Sequence, residues 1–148
     1  MAELADVFND LVRLEIELWD AVDARLKEEF ELPIARFEFL RVIDRIDGCR
    51  VQDIARELSI TVGGTSKLVD RIEASGYCVR GANPDDRRSS ILKLTKSGQR
   101  VLTRATKVFQ EELDSRLGEP LTARELETLA RALTKLRRAG QALDTEGR

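Results

Sequence analysis

The sequence predicts a mainly α-helical chain that carries one small β-hairpin. Apolar residues recur at every third or fourth position along most of its length, the signature of helices with one buried face. Two short β-prone runs flank the turn signal Asn83-Pro84-Asp85-Asp86, which predicts the hairpin. With 148 residues, 42% apolar and 35% charged, the chain is long enough to close a core and sits within the usual size of one compact domain.

The elements follow in order. From Leu4 the positions Val7, Leu11, Leu14, Leu18, Val22 and Leu26 define one long amphipathic helix whose apolar stripe must be buried. Pro33 ends or restarts the chain, since proline disfavours helix at the residue before it. A second helix places Phe37, Leu40, Ile43 and Ile46 inward and stops near Gly48. Gln52 to Leu58 makes a helix of about two turns, with Ile54, Ala55 and Leu58 on one face. Ser59-Ile60 is the turn, and Thr61 is a good N-cap for the next helix, which buries Leu68, Val69 and Ile72 and ends around Ser75-Gly76. Tyr77 to Arg80 and Ser90 to Leu94 are the strands of the hairpin. Thr95 caps a further helix through Val101, Leu102, Ala105, Val108, Phe109, Leu113 and Leu117, broken by Pro120. Thr122 with Glu125 forms a capping box for a last helix lined by Leu126, Leu129, Leu133, Leu136 and Leu143, and Asp144 to Arg148 are expected to fray.

The order helix, turn, helix, hairpin across residues 49–100 is what a winged helix-turn-helix needs to set one helix in the DNA major groove with a basic finger beside it. Charge agrees with this. Residues 1–48 hold six Lys and Arg against thirteen Asp and Glu, whereas residues 49–100 hold ten against six and residues 101–148 nine against eight. The whole chain nets −2, yet its positive excess falls on the segment expected to meet phosphate. The long apolar stripes at the two chain ends predict a homodimer, with residues 1–32 and 101–148 as a helical dimerisation region and residues 33–100 as the DNA-binding region, all sharing one continuous core.

Other classes are narrowed by composition. Without a histidine, Cys-His dyads, Ser-His-Asp triads and histidine metal sites are excluded, and with no phosphate-binding glycine loop there is no enzyme or cofactor signature. No run approaches the eighteen or more apolar residues of a membrane span, and the acidic start Met1 to Asp6 is unlike a secretory signal, so a cytoplasmic protein is expected. Cys49 and Cys78 are then expected to be reduced, as small, half-buried apolar side chains. The competing reading is a winged-helix module that uses its basic face to recognise a protein rather than DNA.

Leu58-Ser59-Ile60-Thr61, then Thr65 to Glu73 with Gly76, then Asp86-Arg87-Arg88 leading to Leu94-Thr95 and Gly98, resemble the MarR family of bacterial transcriptional regulators. The resemblance implies a two-fold dimer, usually a repressor, binding a pseudo-palindromic operator in double-stranded DNA. By that analogy the recognition helix runs from Thr61 to Ala74, with Thr65, Ser66, Lys67 and Arg71 placed to meet bases or phosphates. In the wing, Arg88 matches the position that enters the minor groove, Asp86 the one that orients it, and Arg87 is expected to meet phosphate. Val62-Gly63-Gly64 departs from relatives that carry longer polar side chains there; two helical glycines cost roughly 1 kcal/mol each relative to alanine, and close backbone approach to DNA is one reason to keep them. The family also implies a small aromatic or anionic effector, for which Trp19, Phe30, Phe37 and Phe39 are the candidate lining, with plain core as the competing role for the same rings.

Overall fold

The computed structural model describes residues 1–147, and the chain divides into two compact units, the first ending at Phe109 and the second starting at Gln110. The first contains α1 (Leu4–Phe30), α2 (Ile34–Arg45), α3 (Val51–Leu58), α4 (Val62–Ala74), β1 (Cys78–Ala82), β2 (Ser90–Leu94) and most of α5 (Lys96–Leu113). The mainly α architecture with a single antiparallel hairpin is therefore the one the sequence predicts.

The core of this unit is built around α2, which buries Ile34, Phe37, Phe39, Leu40, Val42 and Ile43. Leu26, Ile54, Val69, Ile72, Leu92, Leu102 and Ala105 close around it. Full burial of a ring such as Phe37 contributes about 1.5–3 kcal/mol, and Phe37 also meets Phe109 with centroids 5.2 Å apart. The Arg41 guanidinium lies 4.8 Å from the Phe109 centroid and covers the open side of that ring.

Helix α1 ends in a left-handed residue, Glu31, with the Leu32 amide donating back to the Leu26 carbonyl at 3.3 Å. Pro33 then stands at the N-cap of α2 and has no side chain to offer its free amides. Asp23 of α1 takes that part, accepting from the Ile34 amide at 2.9 Å while paired with Lys27 at 2.6 Å. Only Val22 and Leu26 of α1 are buried. Leu4, Val7, Phe8, Leu11, Val12, Leu14, Ile16 and Trp19 all remain exposed on the single chain.

The hairpin pairs Cys78 with Leu94, Arg80 with Leu92 and Ala82 with Ser90, so β1 runs two residues beyond the predicted strand end. It is fixed at its base. The Leu92 amide donates to the Cys49 carbonyl at 2.7 Å, and the Thr95 amide to the Tyr77 carbonyl at 3.0 Å. The Thr95 hydroxyl donates to the Gly76 carbonyl at 2.6 Å and accepts from the Gly98 amide at 3.0 Å, capping α5 as expected. Gly98 packs against the backbone there: a Cβ on it would lie 2.0 Å from the Tyr77 carbonyl oxygen, so no other residue fits.

The second unit comprises the end of α5, a π-helical turn at Asp114–Gly118 and α6 (Ala123–Glu146). The predicted capping box is present, with the Thr122 hydroxyl accepting from the Glu125 amide at 3.3 Å and the Glu125 carboxylate accepting from the Thr122 amide at 2.8 Å. The bonds that the carboxylate accepts from the Thr122 amide and hydroxyl hold the Glu125 carboxyl below its usual range. Neither the π turn nor α6 has a buried residue, and Leu126, Leu133, Leu136 and Leu143 are exposed. The expected fraying from Asp144 is corrected: the helix continues to Glu146 because the Thr145 hydroxyl bonds the Gln141 carbonyl at 2.8 Å and the Gly147 amide bonds Leu143 at 3.2 Å. Arg148 lies outside the described residues. Among the described residues no helix is long and apolar enough to cross a membrane.

Cys49 and Cys78 are fully buried rather than half-buried, and burial pushes both thiols up to about 11. They are protonated at neutral pH, so neither should react with an aromatic disulfide reagent in the native protein, and two thiols per chain should react in denaturant. Asp53 lies at the start of α3. Burial pulls its pKa up, but hydrogen bonds from the Arg50 amide and side chain and from Arg56, with the Arg50 charge, outweigh this and hold it below its ordinary 3.8. A depressed carboxyl stabilises the fold above its unfolded pKa and loses that contribution as pH falls through the folded value. Asp53→Asn should therefore lower stability at pH 7 by about 1–2 kcal/mol, with the difference from wild type shrinking below about pH 4 in urea titrations.

Candidate nucleic-acid interface

Helix α4 is presented by a tight turn. Ser59 takes a left-handed conformation at φ 55°, which costs an L-residue about 1–2 kcal/mol, and the Ile60 amide closes the turn on the Ala55 carbonyl at 3.0 Å. Thr61 is the N-cap predicted, its hydroxyl accepting from the Gly64 amide at 3.2 Å. The helix buries Thr65, Val69 and Ile72, turning Gly63, Lys67 and Arg71 outward, and ends at Gly76 with φ +80°.

The wing tip is a set of side-chain-to-backbone bonds. Asn83, almost buried, donates to the Ser89 hydroxyl at 2.9 Å and accepts from the Asp85 amide at 3.0 Å. The Asp86 carboxylate accepts from the Arg88 amide at 2.9 Å, and the Ser89 amide returns to the Asp86 carbonyl at 3.3 Å. Asp86 thus shapes the turn through the Arg88 backbone and does not hold its guanidinium. Lys67, Arg71, Arg87 and Arg88 are all exposed, and among the described residues none of them takes part in an ion pair. Their charges remain hydrated, on an outward helix face and a hairpin tip held to one core.

The sequence pattern of the MarR family matches residues 30–89. The chain is 29% identical over 143 residues to the multiple antibiotic resistance protein MarR of Escherichia coli strain K12, covering 92% of this chain and 99% of that one. It is 30% identical over 97 residues to the uncharacterized HTH-type transcriptional regulator YwhA of Bacillus subtilis strain 168, covering 66% of this chain and 69% of that one. Its structure matches that of the transcriptional repressor CouR bound to a 23-mer DNA duplex with a TM-score of 0.80 at 27% identity, over 93% of this chain and 99% of that one. The chain belongs to the MarR family. Its Asp-Arg-Arg and Leu-Thr-x-x-Gly motifs have physical causes in this fold, the first building the wing tip and the second fastening the hairpin base to α5.

Within this MarR family module the expected site residues separate. Thr61 is the cap, Lys67 and Arg71 face outward, and Ser66 is half-buried on a flank. Thr65 is corrected: it is fully buried, and its hydroxyl donates to the Thr61 carbonyl at 2.6 Å, so it supports the helix from within. The two glycines differ in kind. A Cβ on Gly64 would press on the Thr61 hydroxyl at 3.1 Å, whereas one on Gly63 would meet nothing within 4 Å, so no contact inside the fold demands glycine at position 63.

The aromatic lining also needs correction. Phe37 and Phe39 are core residues, filled around on every side, and Trp19 is exposed on α1. Only Phe30 faces an open groove, of about 830 Å³, with Glu28, Tyr77, Arg100, Val101 and Arg104 among its walls. The Arg104 guanidinium stands 5.3 Å from the Phe30 centroid. Tyr77, Arg100 and Arg104 were not legible as groove residues, because segments distant in sequence meet there.

Proposed function

We propose that this chain regulates transcription by binding double-stranded DNA as a homodimer, acting as a repressor on a pseudo-palindromic operator from the cytoplasm. The observation that carries the reading is the set of four exposed cations that form no ion pair among the described residues, Lys67 and Arg71 on α4 and Arg87 and Arg88 at the wing tip. In that reading α4 enters the major groove, Arg88 the adjacent minor groove, where narrow A·T-rich geometry attracts a guanidinium, and Arg87 meets phosphate. The position of Gly63 lets the α4 backbone approach closely, and capped Thr61, Gly64 and Ser66 complete the same edge. Repression is favoured by the likeness to CouR, itself a transcriptional repressor bound to a DNA duplex.

Residues 1–32 and 101–148 supply the dimer contacts. The support is the exposed apolar face of α1, together with the exposed leucines of α6, which a second copy would bury. A small aromatic or anionic effector would bind the groove at Phe30, with the ring for stacking and Arg100 and Arg104 for a carboxylate. A winged-helix module that recognises only proteins is not favoured. Steep salt dependence of duplex binding separates the two readings, because contacts with several phosphates release counterions.

Arg88→Ala is expected to weaken operator binding by about 1–3 kcal/mol in gel-shift titrations at physiological salt, with the far-ultraviolet spectrum unchanged. Equal affinity would remove the wing from the interface. Phe8, 65% exposed on α1, should be replaceable by Asp without loss of the monomer fold, and Phe8→Asp should sediment as a monomer where wild type sediments as a dimer.

A further inference from the structure

Among the described residues, Arg80 is the one cation of the hairpin held in ion pairs inside the module. It stands on β1 opposite Leu92, with its side chain only 25% exposed. Its Nη1 lies 2.7 Å from Asp70 Oδ1 and 3.5 Å from Glu73 Oε1, and its Nη2 donates to the Ser66 carbonyl at 3.5 Å. Its own amide donates to Glu73 Oε2 at 3.1 Å. Ser66, Asp70 and Glu73 follow one another at spacings of four and three, so they form one flank of α4, beside the outward row of Gly63, Lys67 and Arg71. A single side chain from the wing thus grips successive turns of the recognition helix.

We propose that Arg80 is a positioning residue for operator recognition: it fixes the offset between the outward face of α4 and the wing tip, and it contacts no DNA itself. The inference rests on the DNA-binding reading. The Leu92 and Thr95 amides anchor the β2 side and the base of the hairpin, but a two-stranded hairpin is marginal in water and bends easily beyond its anchors, and on the β1 side Arg80 ties it to α4. Asn83 lies three strand steps beyond Arg80, about 10 Å at the rise of a strand, so a tilt of about 10° at Arg80 carries the tip roughly 2 Å. That is enough to take Arg88 out of hydrogen-bonding range of a groove that Lys67 has already engaged. Only a planar fork reaches acceptors on several turns at once, so lysine cannot replace it fully.

The role has a sign that separates it from simple charge. Asp70 is 63% exposed on the shoulder of a helix that faces phosphate, so removing its charge would tighten DNA binding if electrostatics alone mattered. Loss of the grip predicts the opposite for the operator. The probes are a fragment selected from genomic DNA by the wild-type protein and a shuffled duplex of equal length, titrated against wild type, Asp70→Asn, Arg80→Gln and Arg80→Lys.

Asp70→Asn and Arg80→Gln should each bind the selected fragment about tenfold more weakly, comparable to losing one good base contact, with Arg80→Lys between them and wild type. Binding of the shuffled duplex should not weaken, so the preference for the selected fragment falls. If Arg80→Gln fails to fold by thermal melting, Asp70→Asn, altered at an exposed side chain, decides the matter. Asp70→Asn binding the selected fragment as tightly as wild type, or more tightly, overturns the proposal. So does an Arg80→Gln protein that loses affinity equally for both duplexes with a shallower salt slope, which would make Arg80 a phosphate contact. A wild-type chain that selects no fragment would instead remove the DNA-binding reading, an outcome distinct from lost preference in the variants alone.

Discussion

The close approach of Gly98 to the Tyr77 carbonyl is the constraint from which the arrangement of α4, the hairpin and α5 follows. A side chain at position 98 would collide with backbone, which cannot yield as a flexible side chain can. With glycine there, α5 begins directly against the strand that leaves α4. Thr95 completes the joint by donating to Gly76 and accepting from Gly98, two bonds each worth about 0.5–1.5 kcal/mol net. The end of α4, the root of the hairpin and the start of α5 are thereby one junction. The pairing of Cys78 with Leu94 follows from it, Leu92 is carried into the core, and Arg80 arrives opposite Leu92 on the side of α4.

What could be read from the sequence was what local rules decide. The apolar period gave the helices, Thr61 and Thr122 were recognisable caps because their partners lie three residues on, and Asn83-Pro84 marked the wing. The start of α2 was opaque for the converse reason: its amide is satisfied by Asp23, eleven residues earlier on another helix. Thr65 misled because a hydroxyl that bonds its own helix is as much at home in a core as on a surface. Phe37 and Phe39 misled because a ring on a helix surrounded by neighbours has no free side, which no pattern along one strand of sequence reveals. Lys67, Arg71, Arg87 and Arg88 are exposed, as charged side chains outside the apolar period are expected to be, while the neighbours that hold Arg80 on α4 depend on the hairpin register.

Charge follows the same division. The acidic excess of residues 1–48 is partly spent within the helices, as in the pairs Arg25 with Glu29, Lys27 with Asp23 and Arg41 with Glu38. Such exposed pairs add little to stability. Their effect is on the surrounding field. Arg45, Arg50, Arg56 and Arg80 are also engaged by carboxylates, whereas Lys67 and Arg71 on α4, Arg87 and Arg88 at the wing tip, and Lys93, Lys96 and Arg100 beyond it are exposed and form no ion pair among the described residues.

Position 63 has a consequence for how such a protein can change. The opening of α4 shows solvent a bare backbone flanked by exposed Ile60 and Val62, and nothing in the interior is keyed to what stands there. With α4 in the major groove as proposed, retargeting to a different duplex would be open to one or two codon changes at this edge, while the architecture stands still. A lineage of duplicated copies could diverge in address there long before it diverged in shape.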